Sequence, residues 1–239
     1  MAENQQGYYE NTQENFRHAY DLIKTEQNHE ELISMLKSGN IVQKQLAALK
    51  LDKISDEVEA QILIDNLTGQ DGKVREAVSL KILEFMQKAE LAKLFRGYLN
   101  YEIFLAAIID INGNICRNII SALSNLKNDM EFCKLFTAEL LSRTEKIANI
   151  IKDFDFQEGK YKVNKEVFKL YWYLETIFVF AEFADIEQLK IILNITKSIN
   201  EYTIREKTAK ILTLDFSDET LSEMREVLKN DTNYYVRRF

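Results

Sequence analysis

Apolar residues recur along most of the chain at the three- and four-residue spacing of an amphipathic α-helix. Several of these stripes follow polar residues that cap helices. Asn28, with Glu31 three positions later, has the pattern of a capping box, and Ser217 and Asp218 precede another stripe. The pattern therefore predicts a succession of helices joined by short polar turns. The residues predicted to face inward include Val58, Ile62, Leu63 and Leu67; Cys133, Phe136 and Leu140; Ile147, Ile150 and Ile151; and Leu221, Met224 and Leu228.

Residues that form tight turns are scarce. The 239-residue chain has 7 glycines and no proline, while 46% of its residues are hydrophobic and 29% are charged. A sandwich or barrel needs many tight turns, which are built from glycine, proline and asparagine. The composition therefore predicts a globular, all-α protein.

A second kind of segment recurs between the stripes. It consists of a polar turn, an apolar residue, an arginine and then an apolar-rich helix. The interval from Arg117 to Arg205 is about twice the interval from Arg75 to Arg117, which predicts a degenerate repeat near residues 155–183. We expect each arginine to reach a polar residue of a neighbouring turn and so to form a structural ladder. The copies lie at residues 71–75, 112–117, 200–205 and 233–237, with a weaker one at 39–43 that has Gln43 for arginine; the ladder residues are Arg75, Arg117, Arg205, Asp71, Asn112 and Asn200.

These copies resemble the second helices of HEAT repeats, which open with an Asp or Asn turn, Val-Arg and small apolar residues. The resemblance implies an armadillo-like α-solenoid, a right-handed α-α superhelix of about five to six helical hairpins. It also implies that the second helices line a concave surface that cradles a peptide or a folded partner. Residues 13–239 would form this single array after a flexible tail at residues 1–12. The chain departs from the family in lacking the proline that often kinks the first helix.

Catalytic, metal and membrane motifs are not found in the sequence. The two histidines, His18 and His29, and the two cysteines, Cys116 and Cys133, lack the spacings of metal or nucleophile sites, so no catalytic residue, metal or cofactor is predicted. The net charge of −7 makes nucleic acid an unlikely partner. The chain has neither a secretory signal nor an apolar run that could span a bilayer, so a cytoplasmic protein is expected.

The segment at residues 154–183 combines lysines with aromatic residues, and its lysines are Lys160, Lys162, Lys165 and Lys169. Its rings either fill the core of the degenerate repeat or form an exposed anchor for a partner, because Tyr and Trp dominate binding hot spots. The predicted function is a non-catalytic scaffold or adaptor for a protein or peptide. The alternative is an enzyme that resembles the HEAT-like alkylpurine DNA glycosylases, with Trp172 near lysines and Glu175. The candidate partner-binding residues are Lys165, Lys169, Tyr171, Trp172 and Tyr173.

Overall fold

The computed structural model describes residues 21, 23–97, 100–154 and 160–239. For residue 100 and residues 160–163 it describes the backbone alone, so the side chains of Lys160 and Lys162 lie outside it. The predicted tail at residues 1–12 and His18 also lie outside the described residues. Within the described ranges the chain is helical and contains no β-strand, which confirms the all-α prediction.

The chain divides into two compact units between Phe104 and Leu105. In the first unit, α2 packs on both α1 and α4, and α3 packs on α1. The helix α6 runs across the division. The helices are α1 His29–Ser38, α2 Ile41–Lys50, α3 Glu57–Asp65, α4 Gly72–Met86, α5 Ala89–Ala92, which continues into a 3₁₀ turn Lys93–Phe95, and α6 Asn100–Ala107.

The second unit contains the remaining helices. They are α7 Gly113–Leu123, followed by a 3₁₀ turn Ser124–Leu126; α8 Met130–Lys152; α9 Lys160–Phe180, followed by a 3₁₀ turn Ala181–Phe183; α10 Ile186–Thr196; α11 Tyr202–Ile211; α12 Glu219–Lys229; and α13 Tyr234–Arg237. We call α2, α4, α7, α9, α11 and α13 the second helices. Those of this unit pack in succession, since α9 contacts α7 and α11, and α11 contacts α13. Among the first helices, α8 packs on α10 and α10 packs on α12. Within this unit α8 also packs on α9, α10 on α11 and α12 on α13, so three helical hairpins follow one another among its described residues.

Capping residues explain where these helices begin. Asn28 and Asn40 both form complete capping boxes, in which the asparagine accepts the N–H of the third helical residue and that residue's side chain accepts the asparagine N–H. Asp129 caps the 23-residue helix α8 by accepting the N–H of Phe132. Each such cap contributes on the order of 1 kcal/mol to helix stability. In a chain without proline, these caps are what set the helix starts.

The core follows the predicted stripes, with two corrections. Val58 is 68% exposed, and Ile150 is also exposed. The buried residues of α3 are Ala60, Leu63 and Ile64. A helix turns about 100° per residue, so the face that holds these three positions points away from Val58. The prediction counted large apolar residues and passed over the small Ala60, which shifted the inferred face.

Candidate functional site

The recurring arginines share one position in the second helices. Arg75, Arg205 and Arg237 are each the fourth residue of their helix. Each donates to a carbonyl of the turn that precedes its own helix: Arg75 to Gln70 O, Arg205 to Ile199 O at 2.8 Å, and Arg237 to Thr232 O at 2.8 Å. The arginines therefore fix the direction in which the chain enters the helix.

Arg205 makes an additional contact with the next turn along the chain. Its Nε and Nη2 donate to the two carboxylate oxygens of Asp231 at 2.7 and 3.2 Å. The hydrogen bond from Arg205 holds the pKa of Asp231 below its usual value. Asn200 is exposed, and Glu201 caps α11 in its place. The acceptor for Arg205 is therefore Asp231, in the turn before α13, and not Asn200.

The other predicted ladder residues act locally. Asp71 accepts the N–H of Lys73, and Asn112 accepts the N–H of Asn114, so each caps its own helix. Arg117 is exposed and donates to Asn114 Oδ1 at 2.7 Å. Its guanidinium carbon lies 5.9 Å from the ring centre of Trp172.

Cys116 takes the fourth position in α7, where α4, α11 and α13 have arginine. Its Sγ donates to Asp110 O at 3.1 Å, a carbonyl six residues earlier, as Ile199 O is for Arg205. In α2 the fourth residue is Lys44, whose ammonium donates to Asn66 Oδ1 at 2.9 Å. Gln43, which the sequence pattern aligned with the arginines, instead completes the capping box of Asn40.

The aromatic cluster of α9 is divided between core and surface. Trp172 is 6% exposed and Tyr173 is buried as well, so these two rings belong to the core and are not exposed anchors. Burial raises the pKa of Tyr173. Phe168 and Tyr171 are half-buried, and both meet Trp172 edge to face, at centroid distances of 6.1 and 5.3 Å.

Two adjoining depressions lie along the exposed side of α9, and both include Asn164 and Phe168. The first has a volume of about 550 Å³ and the second about 410 Å³. We call them together the α9 groove. The first depression is also lined by Ile109, Ile111, Lys165 and Lys169, and the second by Val167, Tyr171, Trp172, Glu201 and Thr203.

The groove thus gathers four of the five candidate residues and several that the sequence did not single out. Ile111 is 87% exposed at the turn that precedes α7. The sequence offers one sign of this residue, since Ile111 is an apolar residue between Asp110 and Asn112 in an otherwise polar turn. Glu201 and Thr203 come from the start of α11, and only the packing of α11 on α9 brings them to the groove.

The charges around the groove are partly neutralised. Lys169 pairs with Glu166 at 2.7 Å. Glu175 pairs with Lys207 at 3.3 Å and with Lys210 at 2.8 Å. Within the described part of the chain, Lys165 and Arg117 have no carboxylate partner.

Lys207, on α11, contacts two residues of α9, Tyr171 and Glu175. Its ammonium lies 4.5 Å from the ring centre of Tyr171. Burial alone would lower its pKa, but the hydrogen bond with Tyr171 and the charge of Glu175 outweigh burial and raise it. Lys207 is therefore a protonated link between α9 and α11.

Trp172 and Glu175, which the glycosylase alternative invoked, and both cysteines are paired or buried. Glu175 is neutralised by two lysines, and Trp172 is too buried to stack on a base. Burial raises the pKa of Cys116 to about 12 and of Cys133 to about 11, which keeps both thiols protonated. The described side chains contain no group of three or more His, Cys, Asp or Glu arranged to hold a metal ion. No described helix combines the length and apolar character needed to cross a membrane.

Two engineered proteins are among the solved structures that are similar to this chain. No protein family and no curated protein matches the chain. An engineered protein is 13% identical, with a TM-score of 0.46 over 89% of this chain and 93% of its own. A designed armadillo repeat protein is 14% identical, with a TM-score of 0.44 over 88% of this chain and 96% of its own. At these scores the fold assignment rests on the helix order and packing of the chain itself.

Proposed function

We propose that this protein is a non-catalytic helical-repeat scaffold of the HEAT or armadillo type that binds a protein or peptide partner through the α9 groove. The observation that carries the proposal is the groove itself. It places the exposed side chain of Ile111 in the first depression and the half-buried ring of Phe168 in both.

Exposed apolar surface supports a binding role because it is costly in a soluble protein. An exposed apolar patch rimmed by polar residues is typical of interaction sites. Tyr171 and Phe168 add rigid aromatic surface, which contributes strongly to hot spots. The volumes of about 550 and 410 Å³ fall in the range of sites that enclose a ligand or a partner side chain.

The proposal includes a cytoplasmic location for the protein. Both cysteines are free and buried. Free thiols of this kind are typical of reducing compartments, which supports a cytoplasmic location.

The experiment compares two variants that place the same charge on exposed apolar positions. Ile111→Asp disrupts the groove, while Val227→Asp alters α12, which does not line it and where the residue is 59% exposed. Each tagged chain captures proteins from an extract of the source organism, and the captured proteins are quantified.

We expect a protein that wild type and Val227→Asp recover equally and that Ile111→Asp loses. Circular dichroism of both variants checks that they are folded. Recovery that Ile111→Asp leaves unchanged, or the recovery of no specific protein, would argue against the groove as the binding site.

A further inference from the structure

We infer that the partner presents a short segment in which aliphatic or aromatic residues are followed or preceded by aspartate or glutamate. This inference rests on the proposed function of the α9 groove and adds the chemistry of the occupant. It depends on which charges around the groove are left uncompensated.

Three lysines next to the groove share two glutamates. Glu166 pairs with Lys169, and the single carboxylate of Glu175 pairs with both Lys207 and Lys210. These groups together carry a net charge of +1, so they do not oppose an acidic partner.

Two further cations, Lys165 and Arg117, add to this charge. Lys165 is exposed and lines the first depression. Arg117 is exposed and lies over the ring of Trp172, which lines the second. Among the described residues, neither side chain has a carboxylate partner, so each is available to a carboxylate of the partner.

The acidic residues nearby oppose this preference only in part. Glu201 lines the second depression, but its Oε1 already accepts from both the N–H and the hydroxyl of Thr203. Asp110 lies between the two isoleucines of the first depression without lining it. Its carboxylate accepts the N–H of Asn112 and lies near the thiol of Cys116.

The local charge contrasts with that of the whole chain, which carries −7. At physiological ionic strength, charges more than about 8 Å apart are largely screened, so the nearest groups decide what the groove attracts. The net negative charge of the rest of the chain repels an acidic peptide from other parts of the surface, which makes binding at the groove more specific.

The apolar part of the occupant follows from the floor of the groove. Ile109, Ile111 and Phe168 present hydrocarbon to the first depression, and Phe168 continues into the second. An extended segment places alternate side chains on one side, about 7 Å apart, so two apolar residues can enter the adjoining depressions together.

The test is a selection of random peptides displayed on phage against the full chain. The enriched peptides are then synthesised with a fluorescent label, and their affinities are measured by fluorescence anisotropy. Four proteins are compared: wild type, Lys165→Glu, Ile111→Asp and the control Lys134→Glu. Lys134 is an exposed residue of α8 outside the groove, so the control makes the same change of charge elsewhere.

We expect the enriched peptides to combine apolar residues with Asp or Glu. Lys165→Glu should weaken their binding about ten-fold, since it replaces an attraction by a repulsion, and raising the salt concentration should reduce that difference. Lys134→Glu should leave the affinity unchanged within about two-fold.

Two other results separate the inference from the proposed function. Peptides that Ile111→Asp no longer binds but that show no acidic preference and no effect of Lys165→Glu would overturn the inference and leave the groove as the binding site. Peptides that Ile111→Asp binds as well as wild type, or the enrichment of none, would overturn both.

Discussion

At the scale of single residues, Arg205 joins two consecutive turns of the second unit. Its guanidinium reaches Ile199 O, before its own helix, and the carboxylate of Asp231, before the next one. Both side chains of the ion pair are largely buried. Removing one partner of such a pair is strongly destabilising, because the remaining charge stays buried without compensation.

We therefore predict that Arg205→Met lowers the free energy of unfolding by about 3 kcal/mol. The matched control is Arg237→Met, whose arginine occupies the same helical position but is exposed and donates to backbone carbonyls. The control should lose less than about 1 kcal/mol. Urea denaturation followed by circular dichroism measures both, and equal losses would show that the Asp231 contact adds nothing.

The same pair predicts a dependence on pH. The hydrogen bond from Arg205 lowers the pKa of Asp231 in the folded state. A carboxyl whose folded pKa is depressed stabilises the protein above its unfolded pKa, about 3.9, and that contribution is lost as the pH falls through the folded pKa. The difference in unfolding free energy between wild type and Arg205→Met should thus be constant near neutral pH and shrink below about pH 4. A difference that persists unchanged at pH 3 would contradict this origin.

The cysteines give a second prediction at this scale. Burial is the main cause that raises the pKa values of Cys116 and Cys133 to about 12 and about 11. Since the thiolate is the reactive form, Ellman's reagent at pH 8 should label neither thiol in the folded protein and both after denaturation. Rapid labelling of one thiol in the native state would show that its helix is more open than described.

At the scale of helices, the sequence predicted the second helices well but misplaced their register in two of them. The sequence pattern predicts a fixed spacing from the turn to the arginine. In the structure, the equivalent position is the fourth residue of the helix. By that count Cys116 and Lys44 hold the position that Arg117 and Gln43 were assigned. The capping residue, and not the arginine, sets the register, because it determines which N–H group begins the helix.

Asn66 connects three helices of the first unit. It is 3% exposed, its Nδ2 donates to Leu36 O at 3.1 Å and to Ile62 O at 2.7 Å, and its Oδ1 accepts from Lys44. Asn66→Ala removes these bonds and leaves buried carbonyl groups unsatisfied. We predict a loss of about 2–3 kcal/mol in unfolding free energy, against a few tenths for the exposed control Asn194→Ala. Thermal and urea denaturation measure the loss, and a cost similar to that of the control would rule out this role.

At the scale of the molecule, composition and periodicity were enough to predict an all-α chain of helical hairpins. The absence of proline, the scarcity of glycine and the recurrence of capped stripes all indicate the same fold. Such arrays bury a continuous core by stacking neighbouring units, so each unit can be recognised from its own apolar stripe.

The groove could be predicted only in part, because it depends on contacts between segments far apart in the sequence. Lys165, Lys169 and Tyr171 could be found as an unusual composition within α9. Trp172 and Tyr173 share that composition, yet helical rotation turns them into the core. Ile109 and Glu201 reach the same depressions from other turns, which no local pattern reveals.

The central claim is that a partner occupies the α9 groove in the cell. Site-specific incorporation of a photo-crosslinking phenylalanine analogue tests it most directly, with the analogue at position 111 in the groove or at position 227 on α12. Both positions are exposed in the wild-type chain, so neither substitution disturbs the core. The groove account predicts that light produces a discrete covalent adduct with another protein from position 111 and none from position 227. Adducts that form equally at both positions, or only at position 227, would contradict it.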